Sequence, residues 1–356
     1  MKNIHGANLF EISRKNNVEI DKIMDFSSNI NPLSPSPKAF EFLKKNLSLI
    51  KTYPDPLYKN LKEAISKYSS CVTDNIILGL GSTELLTNAI NLINPKKALI
   101  LSPSYSEYEN ELNKINAEIF FYTLKLENNF RIDLDEIINL INKNNIELFV
   151  FANPNNPTGS ILKKDQIEEI LKKTCAYIIV DETYIEFTDM KIFSSVGLIK
   201  NYNKLIISRG TSKFFGVPGL RLGYALNSQK DLLNKFTNKE ILWQINICAD
   251  LMGQVMFKDK EYIENAFSYI KEQREKLMSE LENIPSLKAV NSSGNFILVK
   301  LKKGSVKSLL KKLRENLIIV RDCSDFKGLD ESYFRFCILD KKSNEIFIEK
   351  LRDALK

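Results

Sequence analysis

Lys213 and Arg221 stand eight positions apart in Ile206-Ile-Ser-Arg-Gly-Thr-Ser-Lys-Phe-Phe-Gly-Val-Pro-Gly-Leu-Arg-Leu-Gly-Tyr224, where an apolar run leads into a turn of small residues. An amine held close to a carbonyl, with its pKa lowered by its surroundings, is the group that forms Schiff bases. Asp181, in Val180-Asp-Glu-Thr-Tyr184, closes another apolar run, and a carboxylate at the carboxyl end of a strand lies where open α/β sheets bind ligands. Phe151-Ala-Asn-Pro-Asn-Asn-Pro-Thr-Gly159 is a Pro/Asn turn after a third such run. Leu78-Gly-Leu-Gly-Ser-Thr-Glu84 opens a helix, and a glycine turn there presents free N–H groups to a phosphate. The third glycine of the dinucleotide fingerprint is absent, which excludes that reading. Arg321, in Ile318-Ile-Val-Arg-Asp-Cys323, and Arg335, in Tyr333-Phe-Arg335, are fourteen residues apart. Their planar forks suit carboxylate and phosphate, so the pair implies a ligand with two anionic groups. In isolation each of these residues has a plain alternative: a surface lysine, a turn aspartate, a salt-bridge arginine.

The elements that must position them follow from apolar patterning. From about 38 to 245, short β-rich runs alternate with helical patterns; the candidate strands are Ile76–Leu78, Lys97–Leu101, Glu118–Tyr122, Leu148–Ala152, Tyr177–Val180, Leu205–Ser208 and Arg221–Leu226. That alternation predicts βαβ units and a mostly parallel sheet covered on both faces. Residues 229–283 read as helical with a few polar turns, bridging to a smaller α+β unit. Its predicted strands lie near Lys288–Val290, Phe296–Lys300, Leu317–Val320 and Tyr333–Ile338, with helices near 305–315 and 343–355. With 356 residues, the chain exceeds what one core usually supports. The expected organisation is an arm over 1–37, a large domain over 38–245 and a small domain over 246–356.

Composition narrows the function classes. The net charge of +7 comes from lysines scattered along helical stretches such as Lys307-Ser-Leu-Leu-Lys-Lys-Leu-Arg314, solvated faces rather than a nucleic-acid surface. Five separated cysteines (71, 175, 248, 323 and 337) and a single histidine offer no metal-ligand spacing. Separated thiols and the lack of an apolar signal core or spanning stretch predict a cytoplasmic protein without membrane contact.

Taken together, the motifs resemble, in order and spacing and over nearly the whole chain, the fold-type I pyridoxal-phosphate (PLP) enzymes of the class I/II aminotransferase superfamily. The resemblance implies an α/β fold with a large, mostly parallel three-layer domain and a smaller α+β domain. It makes Lys213 the lysine that carries the cofactor and Asp181 the carboxylate facing the pyridine nitrogen. Tyr184 and Asn156 would meet the ring O3′, and Tyr105 would stack on the ring. Ser82, Thr83 and Arg221 would hold the phosphate; Gly210 stands where many relatives have a hydroxyl residue, leaving Ser212, Ser208 and backbone N–H groups to help. Tyr53, in Thr52-Tyr-Pro-Asp55, would reach the phosphate of a neighbouring subunit's cofactor, which implies a homodimer with shared active sites.

Three further segments are similar to the threonine-phosphate decarboxylases of cobalamin biosynthesis: His5-Gly-Ala-Asn8, Asp25-Phe-Ser-Ser-Asn-Ile-Asn-Pro-Leu33 and Val320-Arg-Asp-Cys-Ser-Asp-Phe-Lys-Gly-Leu-Asp330. By that resemblance His5 and Arg321 bind a substrate phosphate, Asn29 and Asn31 line the pocket, and Arg335 with Asn156 takes the α-carboxylate. The implied reaction is decarboxylation of L-threonine O-3-phosphate to (R)-1-aminopropan-2-ol O-2-phosphate. Transamination of the histidinol-phosphate type and decarboxylation of O-phosphoserine are the alternatives. Which bond at Cα breaks depends on how the substrate is oriented, and one methyl group separates phosphothreonine from phosphoserine.

Overall fold

A computed structural model describes residues 7–356. Thirteen strands are found among them: β1 (Met24–Asp25), β2 (Ile76–Gly79), β3 (Lys97–Ser102), β4 (Glu118–Thr123), β5 (Leu148–Ala152), β6 (Tyr177–Asp181), β7 (Leu205–Gly210), β8 (Gly223–Leu226), β9 (Leu287–Ala289), β10 (Phe296–Leu301), β11 (Ile318–Ile319), β12 (Arg321–Asp322) and β13 (Tyr333–Cys337). The seven from β2 to β8 form one sheet in the order β2-β8-β7-β6-β5-β3-β4, with only β8 running against the rest.

Burial on both faces explains why these runs read as continuously apolar. Successive side chains leave the sheet on opposite sides, so Leu99 and Leu101 join one core layer and Ala98 and Ile100 the other. The helices Ser82–Ile93, Ser106–Lys114 and Lys230–Thr237 cover the second face. Asparagines in the left-handed conformation, Asn94 and Asn145, stop two helices, a role their short polar side chain suits.

The order of the parallel strands reverses between β3 and β5: β4 lies on one side, β6 and β7 on the other. Ligands bind at the carboxyl ends of strands beside such a switch point. Asp181 ends β6, and the Asn153–Gly159 loop follows β5.

A four-stranded antiparallel sheet, β12-β13-β10-β9, stands apart, backed by the helices Lys260–Glu282 and Lys341–Ala354. The run expected over 317–320 divides: β11 pairs in parallel with β1, while the next residues turn into β12 and pair with β13. The bridging segment is three helices, Lys230–Thr237, Ile247–Met256 and Lys260–Glu282. Arg221, expected inside a strand, instead adopts the left-handed conformation, φ 55°, in the turn before β8. No described helix is long and apolar enough to cross a membrane.

Candidate active site

At the carboxyl ends of β2, β5 and β6 lies a cavity of about 280 Å³ whose lining includes Ser82, Thr83, Tyr105, Asn156, Asp181, Tyr184, Ser212, Lys213, Arg221, Arg321 and Arg335. Residues scattered over more than 250 positions of sequence thus converge on one space.

Asp181 is buried, and every oxygen it has is engaged. Oδ1 accepts from the Thr183 amide at 3.0 Å and the Thr183 hydroxyl at 2.5 Å, and Oδ2 accepts from the Tyr108 hydroxyl at 2.8 Å. Burial pushes its pKa up, opposed by these donors; a carboxylate accepting several hydrogen bonds is held in its charged form. Tyr108 was not foreseen from sequence. It lies three residues after Tyr105 in a helical stretch, a spacing that places both on one face, and their rings meet edge to face at 5.5 Å.

Lys213 opens on the same cavity. Burial, then the nearby charge of Arg335, lowers its amine to about 8, so that roughly a tenth of it is neutral and nucleophilic at pH 7, far more than for an ordinary lysine. The phosphate cradle is built by close backbone approach. Gly81 has φ +95°, and a Cβ there would sit 2.7 Å from Arg221 Nη2. A Cβ on Gly223 would lie 2.5 Å from the Gly81 carbonyl carbon. With these glycines the amino end of Ser82–Ile93 stands beside Arg221, whose Nη1 and Nη2 donate to the Pro218 and Leu80 carbonyls. Helix N–H groups and a guanidinium together make an anion site. Ser208, by contrast, turns its hydroxyl to the Ser82 carbonyl at 3.4 Å and ties β7 to this helix.

Arg335 is buried and lines the same cavity. Its Nη1 donates to Asn156 Oδ1 at 2.5 Å and its Nη2 to the Ser27 carbonyl at 2.6 Å, while Nε has no partner among the described residues. No carboxylate neutralises it among the described residues. Arg321 and Arg335 are direct partners across β12 and β13. Like charges facing each other across strands are destabilising; Arg321 is offset by Asp325 at 2.7 Å, whereas Arg335 has no carboxylate partner among the described residues.

The loop after β1 closes the site. Asn29 Nδ2 donates to Tyr184 Oη at 3.1 Å, and its buried Oδ1 lacks a partner among the described residues. Asn31 does not line the cavity; its amide donates to the Phe214 carbonyl at 2.7 Å and to Tyr262, and its backbone N–H reaches the Lys213 carbonyl at 2.9 Å. It fixes the lysine turn from outside. Tyr53 is 75 % exposed and stacks on Trp243 with centroids 4.2 Å apart, away from the cavity of its own chain. His5 lies outside the described residues.

Beneath the site Glu182 and Arg209 form a buried ion pair, with Arg209 Nη2 2.7 Å from Glu182 Oε2. Glu186 is buried next to it and accepts from the Tyr68 hydroxyl at 3.4 Å, with Oε2 unpartnered among the described residues. Burial pushes its carboxyl up to about 7. Between the ordinary carboxylate range and pH 7 the native state therefore binds a proton that the unfolded chain has lost. Stability falls as pH rises through that window, by about 3 kcal/mol in all. Glu186→Gln should abolish this slope and leave the variant more stable than the parent at pH 8, as denaturant titrations at pH 5 and pH 8 would read; an unchanged slope would place the titration elsewhere.

The family profile described as "Aminotransferase class I and II" matches residues 21–351. A protein of Caldanaerobacter subterraneus subsp. tengcongensis, provisionally named threonine-phosphate decarboxylase, is 37% identical over 353 residues, covering 98% of this chain and 93% of its own. Among solved structures, histidinol-phosphate aminotransferase of Clostridium acetobutylicum superposes with a TM-score of 0.87 at 35% identity, over 93% of this chain and 99% of its own. L-threonine-O-3-phosphate decarboxylase of Porphyromonas gingivalis gives 0.82 at 25%, over 94% and 99%. Pyridoxal phosphate fits the residues present: a lowered amine, a buried ionisable carboxylate, and a glycine-lined cradle beside an arginine converge on one cavity. From the glycine cradle to the paired arginines, this chain belongs to the class I and II aminotransferase family of PLP-dependent enzymes.

Proposed function

We propose that the chain decarboxylates an O-phosphorylated amino acid, with L-threonine O-3-phosphate as substrate and (R)-1-aminopropan-2-ol O-2-phosphate as product, for the cobalamin nucleotide loop. The observation that carries this reading is the cross-strand pair Arg321 and Arg335, both in the lining of the cavity. A substrate with a carboxylate and a phosphate has one anion for each. The 37% identity to the provisionally named decarboxylase supports the same reading.

Pyridoxal phosphate, when bound, supplies an electron sink for the pair released as a bond at Cα breaks. The chain's own residues do the rest. Lys213 Nζ anchors the cofactor and afterwards stands by to give a proton to Cα. Asp181, held charged by Thr183 and Tyr108, keeps a proton on the ring nitrogen. Tyr184 and Asn156 hold the ring's O3′, Tyr105 packs on the ring, and Ser82, Thr83, Ser212 and Arg221 bind its phosphate. Arg335 and Asn156 grip the α-carboxylate and fix which bond stands across the ring plane; Arg321, with His5, takes the substrate phosphate. Water is kept out by the Ser27–Asn29 loop.

Tyr53 and Trp243 are exposed together with Ile50, Leu57, Ile241 and Leu242. We assign these segments to a homodimer in which Tyr53 serves the partner's cofactor phosphate. Sedimentation at micromolar concentration should give a dimer, and a monomeric holoenzyme at full activity would end that assignment.

The deciding assay supplies phosphothreonine or phosphoserine with no keto-acid acceptor and follows carbon dioxide and amine product together. Stoichiometric release supports the decarboxylase. Turnover only with an acceptor, and without gas, would establish the histidinol-phosphate aminotransferase reading, which the 35% identity to the Clostridium enzyme favours. Arg321→Ala should raise KM for phosphothreonine about a hundredfold, the cost of about 3 kcal/mol for losing a charge-assisted pair, and leave unphosphorylated threonine unchanged. Equal losses on both substrates would remove Arg321 from phosphate binding.

A further inference from the structure

Arg321 separates two cavities. One is the active site; the other, about 270 Å³, lies behind it and is lined by Ser104, Glu109, Phe121, Asp325 and Lys327, sharing Tyr105, Arg321 and Phe326 with the first. Asp325 lines only the second. Arg321 Nη2 donates to both Asp325 oxygens, at 2.9 and 2.7 Å, and the guanidinium lies over the Phe326 ring at 5.2 Å. Among the described residues the guanidinium makes no other hydrogen bond.

We propose that Asp325 is a positioning residue for the second anion site: from the far side it clamps one nitrogen of Arg321, so that the remaining N–H groups are presented to the substrate's phosphate. This rests on the phosphorylated-substrate reading above. Two observations give the effect its sign. First, Arg335, the strand partner of Arg321, is fixed by Asn156 and the Ser27 carbonyl without any carboxylate. Asp325 and Phe326 are the corresponding holders of Arg321, and they sit in the same turn only four and five residues on. Second, the rear cavity contains Glu109, whose present partner is Lys327 at 3.4 Å. A released guanidinium has both the room and the charge to withdraw there. Groups behind a metal-ligating side chain fix its orientation and change affinity by about tenfold or more, and Asp325 stands in the same relation to Arg321, with its side chain 40% exposed.

The test uses the holoenzyme and its Asp325→Ala and Asp325→Asn variants. KM and kcat are measured for phosphothreonine and for threonine, and inorganic phosphate is titrated as a competitive inhibitor. Asp325→Ala should raise KM for phosphothreonine and the inhibition constant of phosphate about tenfold, with kcat within about twofold and threonine unchanged. Asp325→Asn keeps an oxygen toward Nη2 and should stay within about threefold of the parent. Unchanged or tighter phosphate binding in Asp325→Ala overturns the clamp, as does an equal loss on threonine. If the parent enzyme ignores phosphothreonine, the functional reading fails. A direct calorimetric titration of inorganic phosphate into the holoenzyme then still decides on Asp325: weaker binding in the alanine variant upholds the clamp and unchanged binding refutes it.

Discussion

Lys213→Ala is expected to lower kcat about a thousandfold or more, because it removes both the covalent anchor of the cofactor and the nearest proton carrier to Cα. The visible absorbance of lysine-linked cofactor should vanish in the same variant. The lowered amine adds a pH signature. Attack on the cofactor's aldehyde needs the neutral amine, so with the Lys213 amine at about 8 the rate of cofactor uptake by apoenzyme should climb about tenfold per unit below that value and level off above it. Uptake that is flat from pH 6 to pH 9, or a variant that keeps both its colour and its turnover, would move the anchor to another residue.

Asp181→Asn should cost nearly as much. A charge pair at about 4 Å is worth roughly 4 kcal/mol at an intermediate effective dielectric, and losing it lowers the rate about a thousandfold. Asparagine matches the shape and still accepts from Thr183 through Oδ1, but its Nδ2 replaces the oxygen that accepts from Tyr108, so the change removes the charge together with one acceptor. Tyr108→Phe is the milder companion. It deletes one of three donors on the carboxylate and frees the upward push of burial. Asp181 then protonates at higher pH, and the acid limb of the kcat profile should move upward while the fold is kept. A profile identical to the parent would show that Tyr108 fills space and no more.

Much of the site was legible because its residues end apolar runs. Asp181 after Tyr177–Val180 and the Asn156 loop after Leu148–Ala152 could be placed at strand ends from patterning alone, and the strands formed there. What the sequence does not carry is register. Arg321 and Arg335 could be counted as fourteen residues apart, but only the pairing of β12 with β13 makes them opposite one another. Asn31 and Asn29 are two positions apart on the same loop, and nothing in their types tells which faces the cavity. The backbone hydrogen bond from Asn31 to the Lys213 carbonyl decides it. Tyr108 and Asp325 act through partners on other elements or at the back of a side chain, where a one-dimensional reading has no distance to use. The turn at Arg221 shows the same limit, since a left-handed residue before a strand leaves little trace in hydrophobicity.

The loop after β1 carries a consequence for biosynthesis. The Ser27 carbonyl holds Arg335 across 308 positions of chain, Asn31 Nδ2 holds Phe214 across 183, and the Phe26 ring lies stacked on Phe347 at 4.6 Å. An early segment is thus completed only by late ones. At about 5–20 residues per second, the ribosome takes on the order of half a minute to deliver the partners that Phe26 and Ser27 await. Until then the Phe26 ring has no place to dock, and the catalytic pocket is among the last features of the nascent molecule to close.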